Sequence, residues 1–162
     1  GHYNPAVSLA ATLRGALSVS EMIGYWIAQL AGSLAASAVV YVILGHTFAP
    51  TPAATATAFQ ALLVEILFTF ALALVVLNTA TSKKTAGNSY FGLAIGFTVA
   101  VGAVAGGPIS GGAFNPAVGT GPIVVNALVG GGSLAHLWLY WIGPLVGGAL
   151  AALVFKVQEA GD

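Results

Sequence analysis

Two copies of one tripeptide, Asn4-Pro5-Ala6 and Asn115-Pro116-Ala117, carry most of the chemistry open to this chain. Proline suits the first turn of a helix, where its missing N–H would be unpaired anyway, and the asparagine before it is a natural N-cap. Each such helix end carries a partial positive charge of roughly +0.5 e. Two of them facing each other would oppose the passage of cations, hydronium included. The side-chain N–H groups of Asn4 and Asn115 would orient a water passing both so that it can only accept, which interrupts a proton-conducting chain. The carbonyls of Gly1, His2 and Tyr3, and of Gly111, Gly112 and Ala113, would replace hydration along the rest of such a path, where glycine lets the backbone come close. Capping alone also selects asparagine, but two matching copies exceed what capping needs.

The remaining reactive residues are few. Glu65 is the one carboxylate in the middle of an apolar run, so it must be buried in protein and hydrogen-bonded. His2, His46 and His136 show no metal-ligand spacing, and no nucleophile–base pair stands out, so neither an enzyme nor a cofactor is expected. Trp26, Trp138 and Trp141 read as interface anchors or helix packing.

These residues sit in a chain made for a bilayer. Of 162 residues only four are Lys or Arg and four Asp or Glu, while 58% are hydrophobic, and the mean hydropathy is +0.96. So little charge could not cover a soluble domain. The 22 glycines suit close helix approach, the absence of cysteine rules out disulfides and thiolate chemistry, and zero net charge argues against nucleic acid as a partner. The expectation is an all-α, polytopic membrane helix bundle forming a single domain over 1–162.

Two short helices are expected, from Pro5 to Leu13 or Arg14 and from Pro116 to about Asn126. At 1.5 Å per residue each covers about half of a hydrocarbon core, so both should be re-entrant, with lead-in loops buried in protein or facing a water-filled cavity. Full spans are expected over 21–44, behind a Ser18-x-x-Glu21 box, and over 57–77, 90–105 and 133–157. The connections are 45–57, with Pro50 and Pro52, 78–88, and the glycine run 129–132. Lys83-Lys84 is the basic cluster between spans, so its loop is expected on the cytoplasmic side, with the C-terminus and Lys156 on the same face.

The order of elements repeats. Asn4 and Asn115 stand 111 residues apart, while Tyr25-Trp26-Ile27 and Tyr140-Trp141-Ile142 stand 115 apart, so the linker is four residues longer in the second copy. Three full spans between the motifs put the half-helices on opposite faces, pointing inward as an inverted repeat. Residues 1–45 read as the remainder of a first repeat and 57–162 as the second. Two helices ahead of Gly1-His2-Tyr3 are the missing counterparts, so the chain is expected to be N-terminally truncated.

Gly1-His2-Tyr3-Asn4-Pro5-Ala6-Val7 and Ser110-Gly-Gly-Ala-Phe-Asn115-Pro-Ala resemble the two signature loops of the aquaporins, or major intrinsic proteins. Glu65 and the Trp141-Ile-Gly-Pro run with Gly147 are similar to further positions of that family, and the resemblance runs from end to end. It implies a pore in each subunit, usually a homotetramer, and Glu65 bracing loop N–H groups near the pore. The reading is of a bacterial-type member in the inner cell membrane. In water-selective members an arginine follows the second motif and forms a narrow filter with a histidine on the preceding helix. The matching positions here are Val118, Ala103 and, for a third, Gly112. The resemblance therefore implies a wider, less polar filter, passing water with small neutral solutes. Some plant vacuolar members also carry valine there and pass water, urea and ammonia-like solutes. A solute facilitator for urea, ammonia or glycerol with water secondary stays open, although the arginine and aspartate usual in glycerol channels are absent. So do a non-conducting fragment and, with Glu65 alone to couple ions, a secondary transporter.

Overall fold

The computed structural model describes residues 1–159. Among them are six α-helices and no strand: α1 (Pro5–Arg14), α2 (Val19–Leu44), α3 (Ala58–Val76), α4 (Phe91–Ser110), α5 (Pro116–Val129) and α6 (Leu139–Glu159). Four are long and apolar enough to cross a membrane: α2, α3 with its continuation to Thr81, α4 and α6. α1 and α5 measure about 15 and 21 Å at 1.5 Å per residue, too short to cross.

Local chemistry sets most boundaries. Asn4 and Asn115, both extended, cap α1 and α5 ahead of a proline at the first position. Ser18 and Glu21 form a complete capping box, so α2 begins at Val19, two residues before the expected start. Thr57 and Gln60 form a second box at α3. α1 stops at Gly15, whose φ of 88° is left-handed and open to glycine without strain.

Four other boundaries move further from their expected places. α3 does not give way to a loop at Asn78 but runs on as a π-turn over Leu77–Thr81. There Asn78, Thr79 and Thr81 turn their side chains back onto the carbonyls of Leu74, Val75 and Leu77 at 2.9, 2.7 and 2.6 Å, so polar residues stay helical. α4 passes Ala105 and continues through Gly106, Gly107 and Pro108 to Ser110, because Gly102 and Gly106 let Phe68 and Phe114 lie against its backbone. α5 continues past Asn126 to Val129; the Asn126 side chain accepts from the Thr47 hydroxyl at 2.6 Å and its carbonyl takes the N–H of Gly130 and of Gly132. α6 starts at Leu139, not near residue 133, because the preceding backbone closes i to i+3 turns such as Leu137 N–H to the Leu134 carbonyl at 3.0 Å. The C-terminus itself lies outside the described residues.

α6 is the centre of the bundle, with α3 packed along it most extensively and α1 also against it. Gly143 and Gly147, one turn apart, make this possible: a Cβ on Gly143 would stand 2.6 Å from the Glu65 Cβ, and one on Gly147 would collide with the Ile66 carbonyl. Gly148 meets the Ala6 carbonyl in the same way, at 2.6 Å. Around these glycines Ala10, Ala73, Leu77, Ala151, Ala152 and Phe155 form one buried cluster. α2 lies outside, against α5 and α1, and none of its residues is buried. Gly121 of α5 meets Ser33 of α2 with no room for a side chain.

Gly147→Val is expected to destabilise the protein by about 1–3 kcal/mol, since an overpacked interface must shift backbone. Gly96→Val, where a Cβ would meet nothing within 4 Å, should be close to neutral. Denaturant unfolding in detergent micelles measures both, and equal stabilities would contradict the packing described.

Candidate functional site

The two half-helices meet by their N-terminal ends, and the asparagines join them. Asn4 Oδ1 accepts from the Ala6 N–H at 2.9 Å, and its Nδ2 reaches across to donate to the Phe114 carbonyl at 2.8 Å. Asn115 does the same in reverse: Oδ1 accepts from the Ala117 N–H at 2.9 Å, and Nδ2 donates to the Tyr3 carbonyl at 2.9 Å. Each motif thus caps its own helix and clamps the residue before the other motif. An amide NH2 has two hydrogens, so one N–H of each asparagine is spent on the clamp and one is left to donate.

The lead-in loop of α5 is non-helical backbone inside the bundle, and Glu65 of α3 holds it. Glu65 is fully buried. Its Oε1 accepts from the Ser110 hydroxyl at 2.7 Å and the Ala113 N–H at 3.1 Å, and its Oε2 from the Phe114 N–H at 2.6 Å. Three donors on one carboxylate offset the cost of a charge in this setting. From the other side the buried Tyr140 of α6 donates its hydroxyl to the Ser110 carbonyl at 2.5 Å, and its ring lies against Gly119 of α5. Phe114 takes a φ of 49°, the sole positive value outside glycine among the described residues, at the point where its N–H meets Glu65 and its carbonyl meets Asn4. The first loop is held differently: Gln29 of α2 donates to the His2 carbonyl at 2.9 Å and to the Ser8 hydroxyl at 3.0 Å, and the His2 ring stacks on Tyr25 with centroids 4.7 Å apart.

The tryptophans repeat this pairing. Trp26 Nε1 donates to the Pro5 carbonyl at 3.0 Å, and Trp141 Nε1 to the Thr120 hydroxyl, which itself donates to the Pro116 carbonyl at 2.6 Å. The two indoles meet edge to face at 6.0 Å. Trp26 and Trp141 therefore serve helix packing, while Trp138 is exposed.

A cavity of about 470 Å³ runs from both asparagines between α1, α3 and α4, lined at one end by Gly1, His2, Tyr3, Asn4 and Asn115 and along its length by Val7, Leu72, Val76, Ile95 and Val99. Polar groups are concentrated at the helix ends, the stretch beyond them is apolar, and Ala80, Thr81 and Phe91 complete the lining. Ile95, Val99 and Ala103 lie four apart on one stripe of α4. Ala103 is one turn beyond the cavity lining and is exposed. Val118, 48% exposed, opens instead onto an apolar cavity of about 730 Å³ between α2 and α5, shared with His2, Tyr3, Gln29 and Ser33. Gly112, at φ 65°, lies in the loop between. Ala103 and Gly112 line neither of these two cavities. Gly111, Gly112 and Ala113 are not among the residues lining the cavity between α1, α3 and α4, and the His2 and Tyr3 carbonyls each accept one side-chain N–H. His46 and His136 lie exposed in turns, away from this site.

Sequence reasoning gave no role of their own to Phe114, Ser110, Tyr140 or Gln29. Symmetry was the available signal for Phe114, which stands before Asn115 as Tyr3 stands before Asn4. A tyrosine or glutamine in an apolar span is a weaker signal, since its partner is a backbone atom far away in sequence.

Glu65→Gln presents one acceptor oxygen where three donors converge and turns an NH2 toward one of them. It is expected to cost about 1–3 kcal/mol, the desolvation cost of a buried donor left unpaired. Unfolding in detergent checks it, and a Gln variant as stable as the native protein would show that the three bonds carry no net stabilisation.

The sequence profile of the major intrinsic protein family matches residues 1–155. The chain is 40% identical over 158 residues to aquaporin TIP2-3 of Arabidopsis thaliana, covering 96% of this chain and 61% of that protein. It is 38% identical over 164 residues to probable aquaporin TIP2-2 of Oryza sativa subsp. japonica, covering 100% of this chain and 64% of that one. It thus spans about three fifths of the length of these curated relatives. Both are plant proteins, so a bacterial-type member, and with it an inner cell membrane, finds no support in them. The fold is similar to the X-ray structure of the aquaglyceroporin from Plasmodium falciparum, with a TM-score of 0.82 at 19% identity, covering 96% of this chain and 72% of that one.

Proposed function

Since the chain belongs to the major intrinsic protein family, an integral, multi-pass family of membrane channels, we propose that it forms a passive path for water that also admits small neutral solutes such as urea or ammonia. The observation that carries this reading is the clamp itself: two half-helix N-termini held face to face over one cavity, each with an asparagine N–H left to donate. A water between them accepts from both sides and cannot relay a proton, while the two partial positive charges oppose cations. The apolar wall of Val7, Leu72, Val76, Ile95 and Val99 then offers little to hold the water back.

The filter positions are read as Ala103, Gly112 and Val118, all small or apolar. Val118 stands half-exposed at the first turn of α5 beside the larger apolar cavity, which supports passage of solutes wider than water. It also keeps a second reading in view, a facilitator of small neutral solutes with water secondary. Residues 1–45 are assigned to the first repeat and 57–162 to the second, with water and lipid as surroundings and a homotetramer as the assembly. The Lys83-Lys84 loop and the end of α6 are placed on the cytoplasmic face.

In stopped-flow swelling of proteoliposomes, water permeability is expected well above that of empty vesicles, and a value no higher would refute the channel. Val118→Arg should lower urea permeability more than water permeability, by adding a bulky, charged donor to the first turn of α5. An unchanged urea-to-water ratio would remove Val118 from the filter, and a native ratio strongly favouring urea would select the facilitator reading.

A further inference from the structure

Resting on the channel reading, we propose that the path has a second neck at Ala80, Thr81 and Phe91, and that Arg14 is the positioning residue that sets its bore. The cavity below the asparagines ends at these three residues. A separate, open cavity of about 480 Å³ along the 79–88 segment is lined by the same three together with Thr79, Ser82, Lys83 and Asn88. These three shared residues stand where the two cavities adjoin, and we take the route from the asparagines to run between them.

The neck is built. Thr81 closes the π-turn that ends α3, a geometry that is rare and found mostly at functional sites. Its hydroxyl donates to the Leu77 carbonyl at 2.6 Å and accepts from Arg14 Nε at 2.7 Å. Arg14 Nη2 also donates to the Thr81 carbonyl. The guanidinium lies over the ring of Phe155, 5.1 Å from its centroid, and Phe155 belongs to the buried cluster of α6. Arg14 is the last residue of α1, so the half-helix that carries Asn4 at one end holds the neck at the other. On the far side Ser82 donates to Glu159 at 2.8 Å and Asn88 to the Thr79 carbonyl at 2.7 Å. With its hydroxyl engaged twice, Thr81 has little hydrogen-bonding capacity left for a solute. Ala80 and Phe91 have no polar side-chain atom. The neck therefore discriminates by width, whereas the asparagines discriminate by charge and donor geometry.

The chain has no cysteine, so Ala80→Cys introduces the one thiol present. In proteoliposomes, a methanethiosulfonate reagent should cut the water permeability of Ala80→Cys by more than half and leave the native protein untouched; Phe91→Cys serves the same purpose if Ala80→Cys does not fold. Arg14→Gln should at least double the urea-to-water permeability ratio, and Arg14→Lys, which keeps the charge but not the fork, should do so less. A merely structural Arg14 would lower both fluxes together and leave the ratio unchanged. A cysteine variant that conducts but ignores the reagent, or an unchanged ratio in Arg14→Gln, overturns the neck and leaves the channel standing. A native protein no more permeable than empty vesicles overturns both.

Discussion

Everything in this fold follows from holding two positive helix ends face to face inside apolar surroundings. Left alone they would repel, and the loops that lead into them would carry unpaired backbone groups where no lipid can satisfy them. The crossed bonds from Asn4 to the Phe114 carbonyl and from Asn115 to the Tyr3 carbonyl answer the first problem, because each helix end grips the other loop. Glu65 answers the second on one side, collecting the hydroxyl of Ser110 and the N–H groups of Ala113 and Phe114. A carboxylate is costly in an apolar span, and here its charge also lies close to the positive end of α5, which it offsets.

Close packing is the condition for this arrangement. Gly143 lets α6 lie against α3 at Glu65, the residue whose carboxylate holds the loop. Tyr140, on the same helix, fixes the Ser110 carbonyl and the start of α5 together. The glycines of α6 and the polar clamp are thus one device: the first brings the backbones near enough for the second to close.

Much of this was legible in the sequence, for identifiable reasons. Asn-Pro-Ala fixes a cap and a first turn locally, so both half-helix starts could be read from single residues. The repeat matched Trp26 with Trp141, and each donates to its own half-helix, Trp26 to the Pro5 carbonyl and Trp141 to the Thr120 hydroxyl. Boundaries failed where tertiary packing or local side-chain bonds to the backbone override composition. Gly106-Gly107-Pro108 reads as a break, but the helix continues because Phe114 and Phe68 fill the groove that glycine leaves. Asn78 to Thr81 reads as a polar loop, but these side chains bond back to their own helix. The clamp itself was not foreseen, since which atom an asparagine donates to depends on a carbonyl more than a hundred residues away. The filter positions were assigned by matching positions along the chain, which cannot show which space each side chain faces.

The central claim is that each clamped asparagine keeps one N–H for a water between the half-helices. A density map of the membrane-embedded protein, at a resolution that shows single waters, tests it most directly. The account predicts ordered water at about 3 Å from Nδ2 of both Asn4 and Asn115, with the bonds to Phe114 and Tyr3 intact. A dry site there, or asparagine amides with both hydrogens bonded to protein, would contradict it.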